Sequence, residues 1–329
     1  MKDNLDYNLG IMFRREHAPE NLPAFARQAE TAGFDELWMV EDCFYGSGIA
    51  SAAAAMACTA SIKVGVGIMP AVSRNPVFIA MEIATLSRLY PGRFLPGLGH
   101  GMAGWMRQIG AFPKSQLKAL GETTLNIRAL LTGEAINFEG EYVQLDQARL
   151  LYPPGQIPPI SLGVRGPKSL SFSGRVANGT ILAEFSSPAY VSWARAQIAA
   201  GAQAAGHELR GHRLTVFVWT CLDSGANSAR EQLRPLIAKA LASESNNAHF
   251  TPMGILPEVQ EYLGNGGLEH LETAMPDTWT DQLSIAGTPE ETKSAVHHLV
   301  EAGADTVVLV PLPDKGVDEL DVFAQHFLG

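Results

Sequence analysis

Two glycine-rich segments stand out because each begins where an apolar, strand-like run ends. The first is Arg93–Gly101, in which Gly97, Gly99 and Gly101 alternate with other residues, and the second is Ile160–Lys168, which ends in Gly-Pro-Lys. Glycine at the end of a strand lets the backbone approach a ligand closely. Together the segments predict one shared anionic ligand, whereas the simpler interpretation is a tight turn between strand and helix.

The first segment also matches a dinucleotide-binding fingerprint through Gly99, Gly101 and Gly104. In that fingerprint an acidic residue follows about 20 residues later, at the end of the next strand. Here three strand candidates precede the motif, and no acidic residue ends a new strand at the expected distance. The motif therefore does not favour a Rossmann domain.

Four side chains are candidate catalytic residues: Asp42, Cys43, His100 and Glu184. Asp42 and Cys43 follow the second predicted strand, His100 lies inside the first glycine segment, and Glu184 ends the sixth predicted strand. A carboxylate or an imidazole at a strand end can transfer a proton or accept a hydrogen bond from a ligand. Each also has a structural interpretation: a turn cap for Asp42, a small buried thiol for Cys43, a packing role for His100 and a loop cap for Glu184.

The composition restricts the class of protein. The chain has 329 residues, 46% of them hydrophobic, and a formal net charge of −10, so it can bury a large core but presents no basic face for nucleic acid or an anionic membrane. Its three cysteines show no metal-ligand or disulfide spacing, and no apolar run is long enough to span a membrane. The N-terminus is too polar for a signal peptide. We therefore expect a soluble cytoplasmic protein that holds no metal and acts on a small molecule.

Strand-like apolar runs alternate with helical periodicity along the whole chain, which predicts an α/β fold, a (β/α)₈ TIM barrel. The predicted strands are Tyr7–Phe13, Glu36–Val40, Ile62–Met69, Arg93–Leu98, Ile160–Val164, Thr180–Glu184, Leu214–Leu222 and Ala304–Pro311. We expect insertions after strands four and seven: a small hairpin at Glu139–Tyr142 and a mostly helical segment at about residues 223–284. Residues 1–329 are thus predicted to form a single barrel domain. Aromatic and apolar residues that can line its mouth or its core are Phe44, Tyr45, Met69, Trp105, Phe185 and Trp219.

A set of motifs resembles the luciferase-like oxidoreductases from about residue 7 to the end. The motifs are Gly33–Trp38, Val64–Pro70, Arg74–Pro76, Leu89–Arg93, Gly97–Gly101, Gly166–Lys168, Gly287–Glu290 and Ala302–Asp305. Within that superfamily the chain looks most like the branch that uses the deazaflavin coenzyme F420, which includes methylene-tetrahydromethanopterin reductase. The resemblance implies a homodimeric oxidoreductase that transfers a hydride between F420 and an organic substrate. The alternatives are a flavin mononucleotide (FMN)-dependent monooxygenase and a barrel that binds the cofactor without turnover.

The resemblance also implies where the cofactor binds. A deazaflavin has a flat, largely apolar ring, a ribityl chain, one phosphate and an acidic tail, so its site needs a slot and backbone donors. The residues expected to contact it are Asp42, Gly67, Ile68, Gly99, His100, Gly101, Gly163, Val164, Arg165, Gly166, Pro167 and Lys168. In the family the third strand carries a non-prolyl cis peptide behind the ring, which places it at Gly67–Ile68.

The chain departs from the F420-dependent glucose-6-phosphate dehydrogenases at two positions. Asp42 matches that branch, but Cys43 stands where those enzymes have a histidine, and Met102 stands where they have a glutamate. Neither side chain replaces a base that exchanges protons near neutral pH. We therefore do not expect the sugar-phosphate reaction.

Overall fold

The computed structural model describes residues 7–223, 225–243, 247–313, 315, 317 and 319–328. Its strands, in chain order, are β1 (Asn8–Met12), β2 (Glu36–Met39), β3 (Lys63–Pro70), β4 (Phe94–Gly99), β5 (Ile136–Glu139), β6 (Gln144–Ala148), β7 (Ser161–Gly163), β8 (Gly179–Leu182), β9 (Arg213–Leu222), β10 (Ile285–Gly287) and β11 (Thr306–Val310). Parallel pairing runs β11-β1-β2-β3-β4-β7-β8-β9, and β9 pairs with β11 to close the ring. The predicted eight-stranded barrel is confirmed.

Helices surround this barrel and follow its strands. They are α1 (Leu22–Ala32), α2 (Gly48–Ala57), α3 (Pro76–Leu89), α4 (Ala103–Gln108), α5 (Gln116–Leu130), α6 (Pro167–Val176), α7 (Pro188–Ala204), α8 (Ala226–Leu241), α9 (Asn247–Phe250), α10 (Leu256–Ala274), α11 (Asp277–Leu283), α12 (Pro289–Glu301) and α13 (Glu319–Phe327). Side-chain caps fix where some of these helices begin: Asn75 caps α3, and Thr288 and Glu291 form a capping box at the start of α12. Among the described residues, no helix is both long and apolar enough to cross a membrane.

A buried ion pair blocks the amino-terminal end of the barrel interior. Glu36, the first residue of β2, is fully buried and pairs with Arg213, the first residue of β9. The indole of Trp38 donates to Glu36 at 2.8 Å, and its ring packs edge-on against Phe217 at 5.4 Å between centroids. The filled interior leaves space for a ligand at the carboxyl end, where active sites of this architecture lie.

The two insertion regions have distinct structures. Antiparallel strands β5 and β6 form the small hairpin after β4, around the predicted turn. Helices α8 to α11 occupy most of the segment after β9, and β10 then adds parallel to the end of β9. The short helix α4, just after the first glycine segment, has no counterpart in the prediction from sequence. That the insertion and the barrel form a single domain stays a prediction.

The carboxyl end of one predicted strand differs from the structure by more than one residue. The sixth barrel strand was expected to reach Glu184, but β8 ends at Leu182. Three residues later Phe185 has a φ of +68°, which is incompatible with a continuing strand and uncommon for a bulky residue. Glu184 therefore lies on a loop at the barrel mouth.

Candidate active site

A cavity of about 820 Å³ opens at the carboxyl ends of the barrel strands. Seven strand ends or following loops and the insertion contribute to its wall. The lining includes Met12, Arg14, Arg15, Asp42, Cys43, Gly67, Ile68, His100, Gly101, Met102, Trp105, Gly163, Val164, Arg165, Glu184, Phe185, Phe217, Trp219 and His249. Its volume lies within the range of about 300–1,000 Å³ typical of sites for cofactors and other small molecules.

The structure brings all four candidate catalytic residues to this cavity: Asp42, Cys43, His100 and Glu184. Of the other residues expected to contact a cofactor, Gly67, Ile68, Gly101, Gly163, Val164 and Arg165 also line it. The remaining four, Gly99, Gly166, Pro167 and Lys168, lie just outside it. Gly99 is buried within β4, Gly166 caps α6, and Pro167 and Lys168 begin that helix on the exposed side. Their roles in cofactor binding stay predictions.

An irregularity in β3 forms part of the cavity wall. The register of β3 against β4 shifts between Val66 and Met69, and the Gly67–Ile68 peptide is cis, as expected. A second non-prolyl cis peptide, at Cys43–Phe44, was not anticipated.

The Ile68 side chain lies against the glycines that end β4 and β7. A Cβ added at Gly163 would come within 2.4 Å of Ile68 Cγ2, and one at Gly99 within 2.8 Å of Ile68 Cγ1. Both positions are thus restricted by side-chain packing, independently of any phosphate.

Gly101 and His100 shape the loop after β4. Gly101 has a φ of +71°, and a Cβ there would lie 3.0 Å from both Pro70 Cβ and Met106 Sδ, so glycine is required by the turn itself. His100 Nε2 lies 3.4 Å from the hydroxyl of Ser169 in α6, which links the two glycine segments. Burial lowers the pKa of His100 below its ordinary value.

A chain of alternating charges crosses the cavity mouth from the β1 loop to the β2 loop. Glu16 bridges the two arginines, accepting from Arg14 Nη2 at 2.8 Å and from Arg15 Nε at 3.0 Å. Arg15 Nη1 also donates to Asp42. These arginines were not among the candidate residues predicted from sequence, although Arg14, Arg15 and Glu16 follow the first strand closely.

Two carboxyl groups interact with these arginines from the loops after β2 and β8. Burial raises the pKa of Asp42, although the hydrogen bond and charge of Arg15 oppose the shift. Burial also raises the pKa of Glu184, with Arg14 opposing and Asp42 reinforcing the change. Both acids therefore hold protons at higher pH than a solvated carboxyl does.

Aromatic side chains form the apolar part of the wall. Trp105, Phe185 and Trp219 line the cavity, and the guanidinium of Arg14 lies 4.5 Å from the centre of the Trp219 ring. The other members of the predicted aromatic and apolar set lie elsewhere: Phe44 and Tyr45 are exposed, and Met69 is fully buried in the core. Among the described residues, no group of three or more His, Cys, Asp or Glu side chains forms a metal site.

Known proteins share this sequence pattern and this fold. The 5,10-methylenetetrahydromethanopterin reductase of Methanolobus tindarius is 28% identical over 305 residues, covering 91% of this chain and 92% of the relative. The F420-dependent glucose-6-phosphate dehydrogenase of Nakamurella multipartita is 29% identical over 251 residues, covering 72% of this chain and 74% of the relative.

Solved structures extend the likeness to the fold. The coenzyme F420-dependent tetrahydromethanopterin reductase from Methanopyrus kandleri superposes with a TM-score of 0.82 at 23% identity, covering 97% of this chain and 98% of the other. A type II Baeyer–Villiger monooxygenase component from Pseudomonas putida, in complex with FMN, gives a TM-score of 0.73 at 19% identity, covering 98% and 97%. The family model described as luciferase-like monooxygenase matches residues 8–306. The chain therefore belongs to the luciferase-like monooxygenase family, as its motifs predicted.

Proposed function

We propose that the chain is an F420-dependent oxidoreductase that transfers a hydride between the deazaflavin and a small organic substrate. The observation that carries the proposal is the cavity of about 820 Å³, whose lining combines aromatic side chains with the carboxyl groups of Asp42 and Glu184. The F420-dependent glucose-6-phosphate dehydrogenase at 29% identity supports F420 as the cofactor, and the monooxygenase neighbour in complex with FMN supports FMN as the alternative.

The residues present fit a deazaflavin. Ile68 and Phe217 offer apolar surface for a flat ring, while Arg165 and the N-terminus of α6 at Gly166 offer positive charge and backbone donors for an anionic group. When bound, the deazaflavin supplies the carbon that gains or loses the hydride, and the protein supplies orientation and proton transfer.

Proton transfer falls to the two acids. Glu184 lies on a cavity-lining loop, and its raised pKa lets it carry a proton that a substrate oxygen gains or loses. Asp42 is held by Arg15, so its carboxyl orients a substrate hydroxyl or relays the proton. The Arg14–Trp219 stack closes the cavity on the β1 side, where Arg14 is only 5% exposed.

Glucose 6-phosphate is not the expected substrate. Cys43 and Met102 both line the cavity at the positions where the F420-dependent sugar-phosphate enzymes have a histidine and a glutamate. A positioned base contributes about 10²–10⁴-fold to rate. We therefore expect the enzyme to turn over glucose 6-phosphate about 10²–10⁴-fold more slowly than its own substrate.

Cofactor binding and turnover test the proposal. Protein produced without F420 is titrated with oxidised F420 and with FMN, and cofactor fluorescence is followed. We expect F420 to bind at least about tenfold more tightly, a difference of about 1.4 kcal/mol. Tighter binding of FMN, with oxygen consumption in the presence of reduced FMN, identifies a monooxygenase instead. F420 binding without hydride transfer to or from any alcohol, carbonyl or pterin substrate leaves a binding protein.

We also propose a cytoplasmic homodimer, as in the family that the chain resembles. The three cysteines form no disulfide with one another, which is compatible with a reducing compartment. Light scattering coupled to size exclusion measures the mass directly, and a mass near the 35.3 kDa of one chain contradicts the dimer.

A further inference from the structure

The insertion between β9 and β11 contributes one buried polar side chain to the cavity. His249, in α9, lines the cavity wall with only 1% of its surface exposed. The barrel strands, the loops after them and the start of α5 supply other polar groups of the wall, whereas His249 comes from a segment outside the ordinary strand–helix repeat.

His249 has no hydrogen-bond partner on either ring nitrogen within the part of the chain that the structure describes. Its ring packs on Tyr190 with the centroids 4.5 Å apart. Burial, reinforced by the charge of Arg165, lowers the pKa of His249 to about 3, so the ring is neutral at pH 7. A neutral imidazole offers one N–H donor and one acceptor, and a buried polar group left without a partner is costly.

The neighbours of His249 favour an anion as the missing partner. The Tyr190 hydroxyl donates to the carbonyl of Arg165 at 2.8 Å, so the residue that packs against His249 is also bonded to the loop after β7. The next residue, Gly166, is the N-cap of α6, a helix of ten residues. The N–H groups at a helix N-terminus lack partners within the helix and carry positive partial charge. Arg165 and His249 both line the cavity, the charge of Arg165 acts on His249, and the N-terminus of α6 follows Arg165 directly.

We propose that His249 donates a hydrogen bond to an oxyanion of the bound cofactor, so that the insertion completes the cofactor site. The oxyanion is the phosphate or a carboxylate of the acidic tail, which share the same recognition chemistry. The inference rests on the proposed function, because it assumes a phosphate-bearing cofactor in this cavity.

Three ligands separate the possible sources of the oxyanion. F420 carries both groups, FMN carries the phosphate alone, and the deazaflavin riboside carries neither. We expect His249→Phe to weaken F420 binding by about tenfold, or about 1.4 kcal/mol, and to leave riboside binding unchanged. Equal loss for FMN assigns the contact to the phosphate, and loss for F420 alone assigns it to the tail.

Companion variants separate binding from folding. His249→Gln retains an N–H donor and should bind F420 more tightly than His249→Phe does. If His249→Phe does not fold, His249→Leu takes its place. His298→Gln makes the same change on the exposed surface of α12 and should bind every ligand as the wild type does. Urea unfolding of each variant shows whether the fold is retained.

Two results overturn the inference while the proposed function stands. One is unchanged F420 affinity in all His249 variants, and the other is an equal loss for F420 and the riboside, which shows a packing role. Failure of the wild type to bind either F420 or FMN overturns the proposed function and this inference together.

Discussion

Substitution of Gly163 tests whether packing against Ile68, rather than contact with a ligand, requires glycine at the end of β7. In Gly163→Ala the added methyl lies 2.4 Å from Ile68 Cγ2, whereas ordinary contact begins at 3.4 Å, so the two groups must separate by 1.0 Å. Overpacking of this kind costs about 1–3 kcal/mol. We expect the free energy of unfolding to fall by about that amount, and F420 binding to weaken because Ile68 forms part of the cavity wall.

Gly166→Ala is the matched control three residues along the same loop. No atom lies within 4 Å of a Cβ added at Gly166, and its φ of −86° suits any residue. Both substitutions remove the same backbone freedom from the unfolded chain, so that contribution cancels in the comparison. We expect the stability of Gly166→Ala to stay within about 0.5 kcal/mol of the wild type.

A double-mutant cycle identifies Ile68 as the group that clashes. Ile68→Ala removes the atoms that Gly163→Ala would meet, so the second substitution should cost less in that background. The interaction energy should be about 0.5–3 kcal/mol, measured by urea unfolding followed by circular dichroism. Equal costs in the two backgrounds, or a Gly163→Ala protein as stable as Gly166→Ala, would refute the packing argument.

Three further substitutions test the chemistry of the site. Asp42→Asn should lower turnover on the true substrate by about 10²-fold or more while the dissociation constant of F420 changes little; a larger effect on F420 binding contradicts the role of Asp42 in the reaction. The free energy of unfolding of Glu184→Gln, relative to that of the wild type, should increase as pH rises. The raised pKa of Glu184 stabilises the folded state fully below the ordinary value of 4.5, and this stabilisation is lost as pH rises through the folded-state pKa. Urea unfolding at pH 4 and pH 8 measures the difference in unfolding free energy between variant and wild type. A difference that is the same at both pH values contradicts the prediction. Gly166→Ala should weaken F420 but not the phosphate-free riboside, by about tenfold, if the backbone of the α6 N-terminus contacts the phosphate; fluorescence titration decides.

The barrel and the starting points of its functional loops could be predicted from the amino-acid sequence. Alternation of apolar runs with helical periodicity is a local property of the chain, and the carboxyl ends of parallel strands must meet at one rim. Asp42, His100 and Glu184 were identified because each lies at or just after the end of a predicted strand, and all three line one cavity. The glycine segments were visible in the same way.

The side-chain contacts of those residues depend on the tertiary structure. Periodicity carries no information about the contact of Ile68 in β3 with Gly163 in β7. It is equally silent on the links from Arg14 through Glu16 to Arg15 and from Arg15 to Asp42. The position of His249 depends on how the insertion folds back onto the barrel. Such contacts join residues distant in sequence, and the burial that raises the pKa of Glu184 exists only once those segments have packed together.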